Sequence, residues 1–473
     1  MTAGLLLATP ALAGQAPYGA RTPNIPVSSR DRVYLSDQSS NTVSVVDPAT
    51  EKLLGVIRLG IASPGNLSPL YIGQLLVHGM GFSPDRRTLD VVSVGSNSVA
   101  FIDTETNHVK HITYVGRAPH EAFFTPDGKE VWVTVRGENY VSVLDGSTYR
   151  ELSRITVPNG PGMTIFSPDD KYGYVCSSFT PQTVVIDRQT HRIVARVKQS
   201  SPFCPDITAT PDGTQVWETL KDTGRTEVFN AKPPFNIIAT LETGPITNHV
   251  NIVRNAHGQF AYVTIGGLNE VKVFTTTAHP TLVATIPTGE LPHGLWPSGD
   301  GTRIYVGLEN ADAVTAIDTL SNKVIATINS GQSPQGMAYV PDAVPTGSGL
   351  ANLQALGNSG RAAHLTLGKP NDSRTYTTVT VNNQGLIDLL EAAVTGLKPK
   401  AAYNLALSQH ADGSGPLEPL ASFKTNPAGA AIVTALAPLR AVLSAHAVPE
   451  TRRYLVITPS SGEKPGEILQ IEQ

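Results

Sequence analysis

Residues Ala118 to Glu138, APHEAFFTPDGKEVWVTVRGE, decide the fold. A Pro-His pair opens the stretch and an apolar run follows, Ala122-Phe123-Phe124. Pro126-Asp127-Gly128 is a turn, in which proline presets φ and glycine supplies a positive φ. The β-rich run Val131-Trp132-Val133-Thr134-Val135 then leads away, so the stretch is a hairpin of two strands. The same turn recurs at Ser83-Pro84-Asp85, Ser167-Pro168-Asp169, Thr210-Pro211-Asp212-Gly213, Asn255-Ala256-His257-Gly258, Gly299-Asp300-Gly301 and Val340-Pro341-Asp342. The spacing is about 42 to 45 residues, a repeat period to be read before anything else.

Each period continues with a strand closed by an acid or small residue, such as VSVVD at Asp47, VAFID at Asp103 and VSVLD at Asp145, and then with a fourth strand. Four strands per period, repeated seven times, predict an all-β, seven-bladed β-propeller over residues 30–344, because a ring leaves no open sheet edge. The chain enters on a second strand, Val33-Ser36, and leaves on a first strand, Gly336-Val340. The two ends therefore belong in one blade, a one-plus-three closure.

The runs YVTI (Tyr262-Ile265), WVTV (Trp132-Val135) and YVGL (Tyr305-Leu308), with SPDG-type turns before them and V-x-V-I-D strands after, resemble the YVTN-family β-propeller repeat proteins. The resemblance spans about residues 30–342. It implies the propeller fold; it implies no single activity, since propellers host unrelated functions.

Outside the repeats, residues 1–13 contain a short apolar run ending in Ala11-Leu12-Ala13, the form of a signal-peptidase site, without a preceding basic region. We expect a signal-peptide remnant and a periplasmic or secreted protein. No transmembrane segment is expected. Cys176 and Cys204 are the two cysteines, and one disulfide between adjacent blades is the simplest use of them in an exported chain. The net charge of −4, without long runs of one sign, argues against nucleic acid as a partner. Residues 61–76, inserted after the first blade, are placed to lid the mouth or to pack as a loop on their own blade.

Pro345-Thr346-Gly347-Ser348-Gly349 reads as a linker, residues 345–349. Residues 350–473 read as a small β-sandwich accessory domain. Gly396-Leu397-Lys398-Pro399 followed by Tyr403 resembles the tyrosine corner of fibronectin-III- and immunoglobulin-like sandwiches. This domain carries no catalytic motif, and packing, homo-oligomerisation or attachment to an envelope partner is its expected role.

The candidate site follows from the first strands, which line the channel of a propeller. Around the ring their starts read His78, His120, Gly162, Asp206, His249, His293 and Gln335. The repeat region has nine histidines and four stand at these seven starts. Converging neutral imidazoles bind transition metals, so His78, His120, His249, His293 and Asp206 are candidate ligands for Cu, Fe or Zn. Glu121, Arg136 and Lys221 are candidate catalytic residues, the two cations suited to an anionic small molecule at the mouth. His249 and Asp206 stand one residue out of register with the others, which turns a side chain to the other face of a strand unless a bulge intervenes. Such a site suggests a metal-dependent oxidoreductase or lyase. The competing reading is a non-catalytic binding or cell-envelope interaction module, in which these groups only line the channel.

Overall fold

The structure, a computed structural model, describes residues 25–60, 74–357, 362–443, 447, 449–460 and 467–473. The expected leader at 1–13 and most of the insertion at 61–76 lie outside the described residues. Among these residues seven four-stranded antiparallel sheets form the propeller. The first blade joins Pro334–Val340 to Arg32–Asp37, Thr42–Asp47 and Lys52–Arg58. Tyr339 pairs with Val33 and Met337 with Leu35. The one-plus-three closure expected from the strand count is thus present.

The blades alternate because their sequences do. Inner and middle strands are almost wholly buried, as in Pro119–Phe124 and Tyr140–Asp145, whereas the outermost strand Glu151–Thr156 buries only Ile155. The turn acids close each hairpin: Asp127 Oδ1 accepts from Thr125 Oγ1 at 2.7 Å and from the Lys129 amide at 3.1 Å. The aromatic residue of the second strand locks a blade to the next one. Tyr34 Oη donates to the Thr104 carbonyl at 3.2 Å, and Tyr262 Oη donates to Asn322 Oδ1 at 2.7 Å. Tyr305 Oη donates to Glu51 at 3.1 Å; within the first blade, Tyr339 Oη of the closing strand donates to Asp31 at 2.5 Å. A buried hydroxyl left without a partner costs about 1–3 kcal/mol, so these contacts set how the blades meet.

Residues 362–473 are all-β as expected, but the two faces of the anticipated sandwich belong to one eight-stranded sheet. Its end strands, Leu417–Lys424 and Ala431–Ala437, approach each other without forming a ladder, so the sheet is nearly a closed barrel. A twisted sheet of eight strands curls to bury its apolar face; here Leu367, Val381, Leu390, Leu405, Leu455 and Ile457 fill the interior. The tyrosine-corner contact is present, with Tyr403 Oη accepting the Lys398 amide at 3.1 Å. Asp388–Val394 is a strand of this sheet, paired with Thr375–Asn383 and Ala431–Ala437.

This domain docks on the propeller. Ala393 and Ala430 pack with Ile246 and Leu291. Asn310 Nδ2 donates to Thr378 O at 3.1 Å, and the Ala428 amide to Asp222 O at 3.3 Å. The segment between the domains is held too: Arg32 donates to Ser348 O at 3.0 Å, and Val56 bridges Gln354. The docked face is the mouth at which the first strands begin. Among the described residues no helix is long and apolar enough to cross a membrane.

Candidate functional site

The site is built by one device repeated around the ring. Six of the seven first strands start with a β-bulge in which two residues oppose one on the second strand; that of the fifth blade, Ile207–Ala209, pairs without one. In the third blade Pro119 pairs with Val135 and Ala122 with Val133, so His120 and Glu121 share the space opposite Thr134. The equivalent pairs are His78-Gly79, Asn248-His249, His293-Gly294 and Gln335-Gly336. An extra residue kinks the strand and re-aims its side chains.

The bulge corrects the register expected from sequence. His78, His120 and His293 occupy the first bulge position with Gly162 and Gln335. His249 occupies the second, the position that Glu121 takes in the third blade. Asp206 falls in the second register as well: its carbonyl accepts the Thr219 amide, one pair before Ile207 opposite Glu218. The apparent one-residue slip of His249 and Asp206 is therefore a second ring of positions pointing into the same space. Gly79 belongs to that ring, and a Cβ there would overlap the Glu121 carboxylate.

The backbone is strained just before the bulge. Leu76, Ala118, Ile246, Leu291 and Ser333, each two residues ahead of a first bulge position, have φ between 50° and 55°. A left-handed conformation costs a non-glycine residue about 1–2 kcal/mol, and for β-branched Ile246 it is an outlier. Repeated strain of this kind at one mouth is characteristic of functional sites.

All four histidines converge. Ring centroids are 4.2 Å apart for His78–His120, 6.0 Å for His78–His293 and 4.7 Å for His249–His293. Each has a carboxyl group nearby. His78 Nδ1 is 3.5 Å from Glu121 Oε1, His249 Nδ1 is 3.6 Å from Asp206 Oδ2, and His293 Nε2 is 4.0 Å from Glu309 Oε2. His120 Nδ1 donates to Gly162 O at 2.8 Å and His293 Nδ1 to Gln335 O at 3.2 Å, each on the next blade. Those bonds fix the tautomer and leave Nε2 as the lone-pair nitrogen. His78 Nδ1 and His249 Nε2 are buried without a hydrogen-bond partner among the described residues. His78, His120 and Glu121 each offer a ligand atom within 4.8 Å of the others.

Burial sets the protonation. It pushes His78 down to about 3, helped by Arg136 and Lys221, and His249 down to about 3, helped by His78 and Lys221. His120 and His293 lie well below the ordinary imidazole value, again chiefly through burial. The same burial holds Glu121 and Asp206 well above the carboxylate range, against Arg136 in the case of Glu121. Burial therefore favours the neutral form on both sides, the unprotonated imidazole and the protonated carboxyl group.

Arg136 and Lys221 bring positive charge to the rim. Phe203 lies between them, 5.1 Å from the Arg136 guanidinium carbon and 5.9 Å from Lys221 Nζ. Cys204, next to Phe203, is joined to Cys176, so the expected disulfide is present, with Cα atoms 6.0 Å apart. Burial lowers Arg136 to about 10 and lowers Lys221 as well.

One residue of this site was invisible in the sequence. Glu391, from the C-terminal domain, acts on both Lys221 and Glu309 and hydrogen-bonds Glu309. Glu309, which also accepts from Gln335 Nε2, is held well above its usual range by burial and then by Glu391. The one hint was a lone acid in the apolar run DLLEAAV, Asp388–Val394. The other loop charges of the mouth are structural: Asp37, for example, accepts from Thr42 and Ser44 hydroxyls at 2.7 and 2.8 Å.

The family model described as lactonase, seven-bladed β-propeller, matches residues 89–335. No curated protein matches the chain. Among solved structures, similar folds include a functionally unknown protein from Desulfotomaculum acetoxidans, 14% identical, covering 65% of this chain and 98% of its own at a TM-score of 0.55. Hydrazine synthase from Kuenenia stuttgartiensis is 20% identical over 63% and 96%, TM-score 0.52. The periplasmic gluconolactonase of Pseudomonas aeruginosa is 18% identical over 66% and 99%, TM-score 0.50. At these identities the likeness is one of fold.

Proposed function

Because the chain belongs to the lactonase, seven-bladed β-propeller family, we propose that it is a hydrolase opening a small cyclic ester at the histidine-lined mouth. The observation that supports this is the pairing of a neutral imidazole of fixed tautomer, His120, with a protonated carboxyl group, Glu121, on one bulge beneath a cationic rim. In this reading His120 Nε2 takes a proton from the water that attacks the acyl carbon. Glu121 gives its proton to the departing ring oxygen, and the imidazolium then returns a proton to the Glu121 carboxylate. Lactone and water become one hydroxy acid. Arg136 and Lys221 hold the oxyanion and the product carboxylate, the role of oriented charge where charge develops.

The test is acid release by the full-length protein against a panel of aldonolactones. Acid–base groups contribute typically 10²–10⁴-fold, so His120→Ala and Glu121→Gln should each lose at least about 100-fold. Wild-type protein no faster than buffer, or Glu121→Gln as fast as wild type, would refute the assignment.

A second reading has its own support, the grouping of His78, His120 and Glu121 with an unpartnered His78 Nδ1. Those three residues would hold a transition metal, Cu, Fe or Zn, which would supply a Lewis acid for hydrolysis or the centre of an oxidoreductase or lyase. Stoichiometric metal in untagged protein, lost in His78→Ala, supports it; protein that stays metal-free after reconstitution removes it. With neither turnover nor metal, the chain is a binding module and its C-terminal domain an adaptor for an envelope partner or a second copy. We infer export to the periplasm or medium from the disulfide, a bond that persists in oxidising compartments. The repeats are read as YVTN-type on their aromatic and β-branched second strands.

A further inference from the structure

Beneath the histidines the channel narrows to a cavity of about 20 Å³, with Glu121, Asp206, His249 and Asn251 on its polar side. Its other wall is rich in sulfur. Met80, Met163 and Met337 all line it, from the second, fourth and first blades. The whole chain has four methionines, so every methionine after Met1 faces this one space. All three are buried, at 2%, 4% and 4% exposure. Phe123, Leu295 and Trp296 add apolar surface, and Gly294 and Gly336 place no side chain in the wall.

Methionine is an able gap-filler, but gap-filling does not require three blades to bring thioethers to the same point. Nor does it explain His249, which lines the same cavity with an Nε2 atom that has no hydrogen-bond partner. A water-sized space needs about 10–15 Å³, so the cavity has room for one small occupant. Thioethers are soft, neutral donors that select Cu(I) over the harder divalent ions. A monovalent cation is also the charge that a buried, neutral donor set tolerates best, because the desolvation of an ion rises steeply with its charge.

We propose that this cavity is a Cu(I) site, with Met80, Met163, Met337 and His249 as its donors. Its donors are not those of the His78–His120–Glu121 group, with which it shares only the Glu121 wall, and it does not depend on lactone hydrolysis.

The experiment is an anaerobic titration of the full-length protein with Cu(I) in competition with bicinchoninate, with Ag(I) as a redox-inert probe. The wild type should take up one Cu(I), and X-ray absorption of the loaded protein should show sulfur scatterers. The triple variant Met80→Leu/Met163→Leu/Met337→Leu should bind at least about 100-fold more weakly. Leucine for methionine conserves volume and usually costs below about 1.5 kcal/mol per site, and circular dichroism checks the fold. Should the triple variant fail to fold, Met163→Leu alone and the absorption spectrum of the wild type decide. His120→Ala should keep its Cu(I). No uptake against the chelator, a spectrum with nitrogen and oxygen donors only, equal binding by the methionine variants, or loss on His120→Ala would each overturn the proposal.

Discussion

The disulfide between Cys176 and Cys204 gives the most direct test of how the mouth is held. It joins the second strand of the fourth blade to the segment entering the fifth, across 28 residues. Closing a loop of that length removes unfolded-state entropy worth about 3.5 kcal/mol. A propeller of this size has an unfolding entropy near 650 cal/mol/K, at roughly 2.1 cal/mol/K per residue, so each kcal/mol moves Tm by about 1.5 °C. The double variant Cys176→Ala/Cys204→Ala should therefore melt about 5 °C lower by scanning calorimetry. The bond also anchors Phe203, which separates Arg136 from Lys221. Lactone turnover or ligand affinity should consequently fall in the variant at temperatures where it is fully folded. A Tm within 1 °C of wild type would refute the entropic argument. A lowered Tm with an unchanged mouth would refute the anchoring argument alone.

Three further outcomes are expected. Tyr339→Phe takes a hydroxyl donor from buried Asp31 at the ring closure, and thermal unfolding should show a loss of about 1–3 kcal/mol; an unchanged Tm would remove that latch from the account. Deleting residues 333–473 takes the closing strand Pro334–Val340 and should leave no folded propeller, whereas deleting 350–473 should leave one with Ile246 and Leu291 newly exposed; a stable 1–332 fragment contradicts the closure. His364, on the C-terminal domain, gives a pH dependence. Burial lowers its pKa, but its contacts with Asp312 at 3.2 Å and the Asn310 carbonyl at 2.7 Å outweigh burial and raise it. A raised pKa stabilises docking below the unfolded value near 6.5 and loses that contribution as pH rises through the folded one. Hydrogen exchange of the docked strands should therefore quicken from pH 6 to pH 8 in the wild type and change less in His364→Gln; equal profiles would dismiss the latch.

The propeller was legible because its signals are local and repeated. Pro126-Asp127-Gly128 and its relatives state a turn, and the runs between them state strands. The ring closure needed only a count of strands at each end. The site was half legible. His78, His120 and His293 share a spacing that survives folding, but His249 and Asp206 looked misplaced because a two-for-one bulge leaves no mark in composition or period. Glu391 was out of reach, since it joins the mouth only through the docking of one domain on another. The all-β accessory domain was legible too, but the single curled sheet that builds it was not, for a similar reason. Eight short strands read alike whether they make two sheets or one, and the pairing of distant strands such as Ala402–Ser408 with Tyr454–Pro459 decides between them.

The electrostatics of the mouth follow from one trade. A buried ion costs several kcal/mol after relaxation, so in His78–Glu121, His249–Asp206 and His293–Glu309 burial lowers the imidazole and raises the carboxyl group, favouring the neutral form of each partner. The depressed imidazoles favour the folded state less as pH falls below about 6.5. The elevated carboxyl groups favour it more as pH falls over the same range, because the folded protein keeps protons that the unfolded chain has lost. The two slopes oppose, so between the unfolded carboxyl value of about 4 and the unfolded imidazole value of about 6.5 the stability cost of each pair changes little with pH. What they lack is a charge to respond to. A polarised acyl carbon, an oxyanion drawn to Arg136, or a cation among the imidazoles would supply it, and protons would then move within pairs already 3.5–4.0 Å apart. The bulges bring imidazole and carboxyl side chains from different blades to one point, and the C-terminal domain sets Glu391 against Lys221 and Glu309 at its edge.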